Sequence, residues 1–298
     1  MTAACTAKQI ALQNILYATD FSEASETALP FAVSIAREYG AKIYVLHVLT
    51  PSAYMYSTPE GAAAGSGLEE AVQLEMQRVD SQLSPLPHEV LIERGASVWS
   101  ALEQAIDRHG IDLIVVGTHG RTGAQKLALG SEAESIFRRS RIPVLTIGPE
   151  VRKSAVTGAK FHCVLFATDF KPESLAATPF AFSLAEENQA RLLLLHVVPI
   201  DRPNKQERRV ELTAADVMYR LHELMPADAE LWCRPEPMME FGEPAERILE
   251  CTEQSGADLI VLGVRSAAGR LGAATHLERS TAHKIVAHSH CPVLTVRG

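Results

Sequence analysis

The sequence predicts an α/β fold built twice: two tandem open five-stranded parallel sheets, each with helices on both faces. Three observations predict it. The chain repeats itself at about half its length: Ile15–Thr50 set against Val164–Pro199 without gaps gives 17 identities in 36 positions, including Ala-Thr-Asp-Phe, Pro-Phe-Ala and Leu-His-Val. A repeat on that scale makes each half one complete unit. Apolar runs alternate with segments of 3.6-residue periodicity, the pattern of right-handed βαβ crossovers. The apolar runs carry no polar alternation, as strands covered on both faces require.

In the first half, strands are expected at 15–19, 42–48, 88–94, 112–117 and 143–147, and helices at 23–40, 67–83, 97–109 and 131–140. Asp112-Leu-Ile-Val-Val-Gly117 has its counterpart in Asp258-Leu-Ile-Val-Leu-Gly263, and Ile142–Ile147 in Cys291–Val296. Pro143 and Pro292 fall at strand starts, where a missing N–H costs least. Ser57–Ser66, STPEGAAAGS, is small and turn-forming and is expected to be a loop entering the second helix. The charged stretch Asp201–Arg209 matches it in the second half, before a helix that ends near Leu224. The join falls near Glu150–Lys160, giving domains 1–150 and 151–298.

The chain has 298 residues, 47% apolar and 21% charged, with a net charge of −8. Such an acidic chain repels nucleic acid and anionic membrane alike, so neither is an expected partner. Arg138-Arg139-Ser140-Arg141 is the one local basic run, and a helix C-terminus accounts for it. No targeting segment or membrane span is visible. Five cysteines, an odd number without C-x-x-C, argue against a disulfide framework and for the reducing cytoplasm.

The chemistry concentrates in Asp112–Pro143, DLIVVGTHGRTGAQKLALGSEAESIFRRSRIP. A buried strand ends at Gly117, a glycine-bearing loop follows, and Ser131-Glu132-Ala133-Glu134 reads as a capping box opening a helix. Strand, glycine loop and helix N-terminus in that order form an anion site: glycine admits close backbone approach, and the first helical turn offers unpaired N–H groups and positive dipole. The spacing is neither a Walker loop nor the dinucleotide fingerprint. Gly117-x2-Gly120-x9-Gly130-Ser131 resembles the nucleotide-binding signature of the universal stress protein family. Ile15–Ser22 and Leu46-His47-Val48 resemble that family's first strand with its Asp-bearing turn and the end of its second strand.

The resemblance implies a Rossmann-like fold of the adenine nucleotide alpha hydrolase type, with strand order 3-2-1-4-5. Strand order then reverses between the first and fourth strands, where open sheets bind ligands. The resemblance further implies ATP, with Mg²⁺ as an accompanying ion, in the first half. Ala18, Thr19 and Asp20 would contact the adenosine, the backbone of Val48 the adenine edge, and Val116 and Gly117 the ribose and phosphate approach. Gly120, Gly130 and Ser131, with the N–H groups of Glu132 and Ala133, would hold the phosphates. Each residue has a plainer alternative: Ser131 as a helix cap, Gly117 and Gly120 as turn formers, Asp20 as a cap of the first helix together with Ser22.

The second half departs from the pattern. Gly263, Asp169 and Val197 remain, but Ser266 stands for Gly120 and Arg279-Ser280 for Gly130-Ser131, and the loop is three residues longer. An arginine side chain where bare backbone belongs either crowds a phosphate cradle or replaces its N–H groups with a guanidinium; ATP binding is expected to be weak or absent there. Gly269 and Gly272 could rebuild the loop. His283, His288, His290 and Cys291 fit no closed zinc pattern, and His47 and His196 read as structural hydrogen bonders. No nucleophile elbow or catalytic base is identifiable.

These readings imply an ATP-binding stress-response regulator working through nucleotide-dependent conformation or partner binding. The alternatives are a nucleotide-independent interaction scaffold and a slow ATPase. The resemblance also implies an intrachain pseudo-dimer of the two domains, with final strands pairing, and leaves room for a homodimer and an unknown protein partner.

Overall fold

The computed structural model describes residues 10–50, 59–118, 130–151, 160–200, 214–226, 229, 233–265 and 281–298. Two compact units emerge, with main bodies Ala11–Pro149 and Lys160–Gly298.

In the N-terminal unit, β1 (Asn14–Ala18), α1 (Glu23–Tyr39), β2 (Lys42–Leu49), α2 (Pro59–Leu83), β3 (His88–Arg94), α3 (Val98–His109), β4 (Leu113–Gly117), α4 (Ser131–Arg139) and β5 (Val144–Ile147) follow in order. Its strands pair in parallel as β3-β2-β1-β4-β5. The C-terminal unit has β6 (Cys163–Ala167), α5 (Pro172–Leu175), α6 (Thr178–Asn188), β7 (Arg191–Val198), α7 (Ala214–Glu223), β8 (Arg234–Phe241), α8 (Pro244–Ser255), β9 (Leu259–Val264), α9 (Thr281–His288) and β10 (Val293–Arg297). Its order is β8-β7-β6-β9-β10, all parallel.

The central strands are buried throughout, as their unbroken apolar runs demand: Ile15, Leu16, Ile43, Val45, Ile114 and Val115 in one unit, and Val164, Leu165, Leu192, Leu194, Ile260 and Val261 in the other. Ser22 caps α1 by accepting from the Ser25 N–H, and Gly40 closes it in the left-handed region at φ 65. An aspartate ahead of the fourth strand ties it to the first. Asp112 accepts from the Gln13 N–H at 2.7 Å, and Asp258 does the same for His162 at 2.8 Å and Cys163 at 3.0 Å. That pair of equivalent clasps sets the strand neighbours whose far ends diverge into a crevice.

The expected loop at 57–66 is corrected over most of its length, because α2 begins at Pro59. Proline presets φ at the first helical position, and the alanines that follow are the best helix formers. Burial of Val72, Met76, Val79 and Leu83 anchors the helix. The stretch Asp201–Arg209 lies outside the described residues.

Cys163, Cys233, Cys251 and Cys291 are all buried free thiols. Burial pushes each of them up, Cys233 and Cys291 to about 12. No helix among the described residues is long and apolar enough to cross a membrane.

Candidate functional site

The carboxyl ends of β1, β2 and β4 and the start of α4 enclose a cavity of about 330 Å³ in the N-terminal unit. It lies at the point where strand order reverses. Ala18, Thr19 and Asp20 line it from the end of β1, Val48 from β2, Val116 and Gly117 from β4, and Gly130, Ser131, Glu132 and Ala133 from the α4 side. Gly120 lies outside the described residues. The sequence reading missed Ser25, Leu46, His47, Val98, Thr118 and Ile136, which also line it.

Main-chain bonding shows what the cavity can offer a ligand. The Thr19 N–H donates to the Leu46 carbonyl, and the Gly95 N–H donates to that of Leu49. Successive residues of a strand face opposite sides, so Val48 directs its N–H and C=O to the β1 side, beyond the point where β1 has turned away. The Gly130 N–H donates to the Thr118 carbonyl at 2.7 Å and is therefore spent closing the neck of the loop.

Ser131 is not the cap its Ser-x-x-Glu spacing suggests. Gly130 takes that position, with an extended backbone (φ −60, ψ 145) and no side-chain bond, and Ser131 is the first helical residue. The cap carbonyl already accepts from the Glu134 N–H at 2.8 Å, so the helix opens one residue early. The N–H groups of Ser131, Glu132 and Ala133 consequently precede the first intrahelical donor and have no partner among the described residues.

Beneath these donors lies a fixed polar floor. The Tyr17 hydroxyl donates to the Ser25 carbonyl at 2.7 Å, and the Thr19 hydroxyl to the Ser25 hydroxyl at 3.2 Å. Burial pushes Tyr17 up to about 12. Asp20 accepts from both the N–H and the hydroxyl of Ser22, the α1 cap. Phe21 takes a left-handed φ of 61, uncommon for a bulky residue. It stacks on His47 at 4.5 Å, and His47 Nδ1 donates to the Thr19 carbonyl at 2.8 Å. Gly117 serves packing rather than a turn: a Cβ there would sit 2.5 Å from the backbone of Ala24.

The C-terminal unit repeats the floor with altered chemistry. Phe170 has φ 60 and stacks on His196 at 4.6 Å, and His196 Nδ1 donates to the Thr168 carbonyl at 2.8 Å. Lys171 replaces Ser22 and forms an ion pair with Asp169. Burial pushes Asp169 up, but hydrogen bonds from Lys171 and Ser174 outweigh it and hold the carboxyl low. The Arg220 guanidinium lies 4.3 Å over the Phe170 ring. Ser266, Gly269, Gly272, Arg279 and Ser280 lie outside the described residues. Among the described residues no cluster of three or more His, Cys, Asp or Glu could hold a metal ion.

His196 gives the C-terminal unit a pH dependence. Burial holds its pKa below the ordinary value, against the Thr168 hydrogen bond and the Asp169 charge. The unfolded chain takes up the proton first, near pH 6.5, and so gains relative to the native state as pH falls. Stability is complete above that value and is lost as pH drops towards the lower folded pKa. Urea titrations at pH 7.5 and 5.5 should show a smaller stability difference for His196→Asn, which keeps a donor for Thr168, than for the unaltered chain.

Comparison with known proteins agrees with this architecture. A model of the universal stress protein family matches residues 11–148 and again 160–297. A universal stress protein of Mycolicibacterium smegmatis is 26% identical over 299 residues, covering 95% of this chain and 96% of its own. One from Methanocaldococcus jannaschii is 30% identical over 139 residues, 45% of this chain and 81% of its own. The crystal structure of a universal stress protein from Archaeoglobus fulgidus superposes with a TM-score of 0.72 at 21% identity, covering 95% of this chain and 98% of that one. With both halves matched and the fold shared end to end, the chain belongs to the universal stress protein family.

Proposed function

We propose that the N-terminal domain binds ATP in the crevice between β1 and β4, and that occupancy sets conformation or partner choice in a cytosolic stress-response regulator. One observation carries the proposal: a single cavity of about 330 Å³ joins the outward main-chain edge of Val48 to the donors at the start of α4. That volume falls in the range of small-molecule sites. The Val48 N–H and C=O match the adjacent acceptor and donor of adenine. Guanine reverses them and leaves both backbone groups unsatisfied.

The phosphates would meet the α4 N-terminus, where dipole and N–H groups favour anions. Asp20 and Glu132 also line the cavity, so a divalent cation such as Mg²⁺ would offset their repulsion. In the domain assigned to 151–298, Lys171 neutralises Asp169 where the domain at 1–150 has Asp20 beside Ser22, which supports a single competent site in the first.

Calorimetric titration of the full chain with ATP and Mg²⁺ should give about one nucleotide per chain, with GTP roughly tenfold weaker or more. Absence of heat up to millimolar ATP, with no nucleotide released on denaturing the purified protein, would favour an interaction scaffold. Phosphate release above the protein-free control would favour a slow ATPase.

A further inference from the structure

The two domains treat one equivalent sheet edge in opposite ways. β3 and β8 are the edge strands that pair with β2 and β7. Leu49 aligns with Arg94, and Val198 aligns with Phe241. Leu49 and Val198 are equivalent in the repeat, so Pro235 corresponds to His88 and Pro237 to Val90. The Gly242 N–H donates to the Val198 carbonyl, which turns Gly242 inward; by alternation Arg234, Glu236, Met238 and Glu240 also face β7. Pro235 and Pro237 therefore fall on the outer row, where they cost no ladder bond and remove two donors from the open edge. Natural sheets use this device against edge-to-edge association.

β3 lacks it. The Gly95 N–H donates to the Leu49 carbonyl and the Ile43 N–H to that of Pro87, so the odd residues face β2. His88, Val90, Ile92 and Arg94 direct N–H and C=O outwards, and none is proline. Ile92, near the middle of this row, is 39% exposed.

We propose that β3 is a pairing edge whose occupant is β3 of a second copy of this chain, antiparallel about a two-fold axis. Charge excludes one register and admits another. Centring on Leu91 would set Glu89 opposite the other copy's Glu93, a like-charge pair. Centring on Ile92 sets Ile92 against itself and Val90 opposite Arg94, with no like charges opposed. Val90, Ile92 and Arg94 then satisfy one another across the axis, and His88 falls beyond the paired stretch. Pairing of Val90–Arg94 buries less than a stable interface needs, so the dimer forms in the micromolar range.

Analytical ultracentrifugation of the full chain, without nucleotide, from about 5 to 500 µM tests this. The mass should rise from 32.4 kDa towards twice that value. Val90→Pro copies Pro237 and removes an outward donor without touching the β2 ladder. It should stay monomeric throughout, with unchanged circular dichroism and melting temperature. Ile92→Lys, an edge gatekeeper that keeps its N–H, should weaken the dimer at least tenfold if proline disturbs folding. A chain that stays at 32.4 kDa throughout, or a dimer that survives both substitutions, overturns the proposal. Neither outcome bears on ATP binding.

Discussion

Gly263→Ala should lower the unfolding temperature of the C-terminal domain by about 10 °C. A Cβ at that position would lie 2.1 Å from the Glu173 carbonyl oxygen and 2.3 Å from the Ser174 Cα. Both are backbone atoms at the start of α5, so no side chain can swing aside. The helix must withdraw from β9, and with it the packing of a close-packed core. Forced overpacking costs about 1–3 kcal/mol, with severe cases higher; about 3 kcal/mol is the fitting figure here. For a domain of this size each kcal/mol moves the midpoint by about 3–4 °C. Gly117→Ala should act the same way in the N-terminal domain, where the added methyl meets the Ala24 carbonyl at 2.5 Å and the Ser25 N–H nitrogen at 2.8 Å. It should cost ligand affinity as well, since Ser25 anchors the floor of the cavity through Tyr17 and Thr19. Gly67→Ala is the control: it is helical, with open space where its Cβ would go, and should stabilise slightly. Calorimetric scans of the three variants decide the matter. A midpoint shift under about 1 °C for Gly263→Ala would mean that α5 does not seat as closely as this geometry requires.

The role of those glycines shows where sequence reasoning stops. Their presence at the end of an apolar run was legible, and a strand ending in glycine beside a helix start located the crevice. The reason for them was not, because the crowding partner, the N-terminus of α1 or α5, lies about 90 residues away in the chain and enters only through topology. The same limit applies to Asp112 and Asp258. The repeat displayed them, but their hydrogen bonds reach back to the strand before α1 or α5. Local signals failed in a different way. Ser-x-x-Glu at 131–134 satisfies the capping pattern, yet Gly130 already supplies a cap carbonyl in the right conformation. Pro59 among alanines and glycines looks like a loop by composition, yet proline is tolerated at the first helical position. Strand order lay beyond any periodicity and came from the family resemblance, which the pairing of both sheets bears out.

The opening of α4 makes its donors separable from its fold. Ser131→Pro should leave the melting temperature unchanged or raise it slightly, while weakening ATP about 10- to 100-fold. Proline is at home in the first helical position because its missing N–H has no intrahelical partner there. It also asks the preceding residue for extended backbone, which Gly130 already has at φ −60 and ψ 145. What it removes is one donor at the positive end of the helix, together with the serine hydroxyl. A charge-assisted hydrogen bond of this kind contributes about 1.5–3 kcal/mol, which gives the stated loss. Ser131→Ala separates the two groups, since it deletes the hydroxyl and keeps the N–H. Affinity that falls equally for both variants would assign the contact to the side chain. Affinity untouched by Ser131→Pro would place the phosphates away from α4, and the case for this helix as an anion site would fail with it.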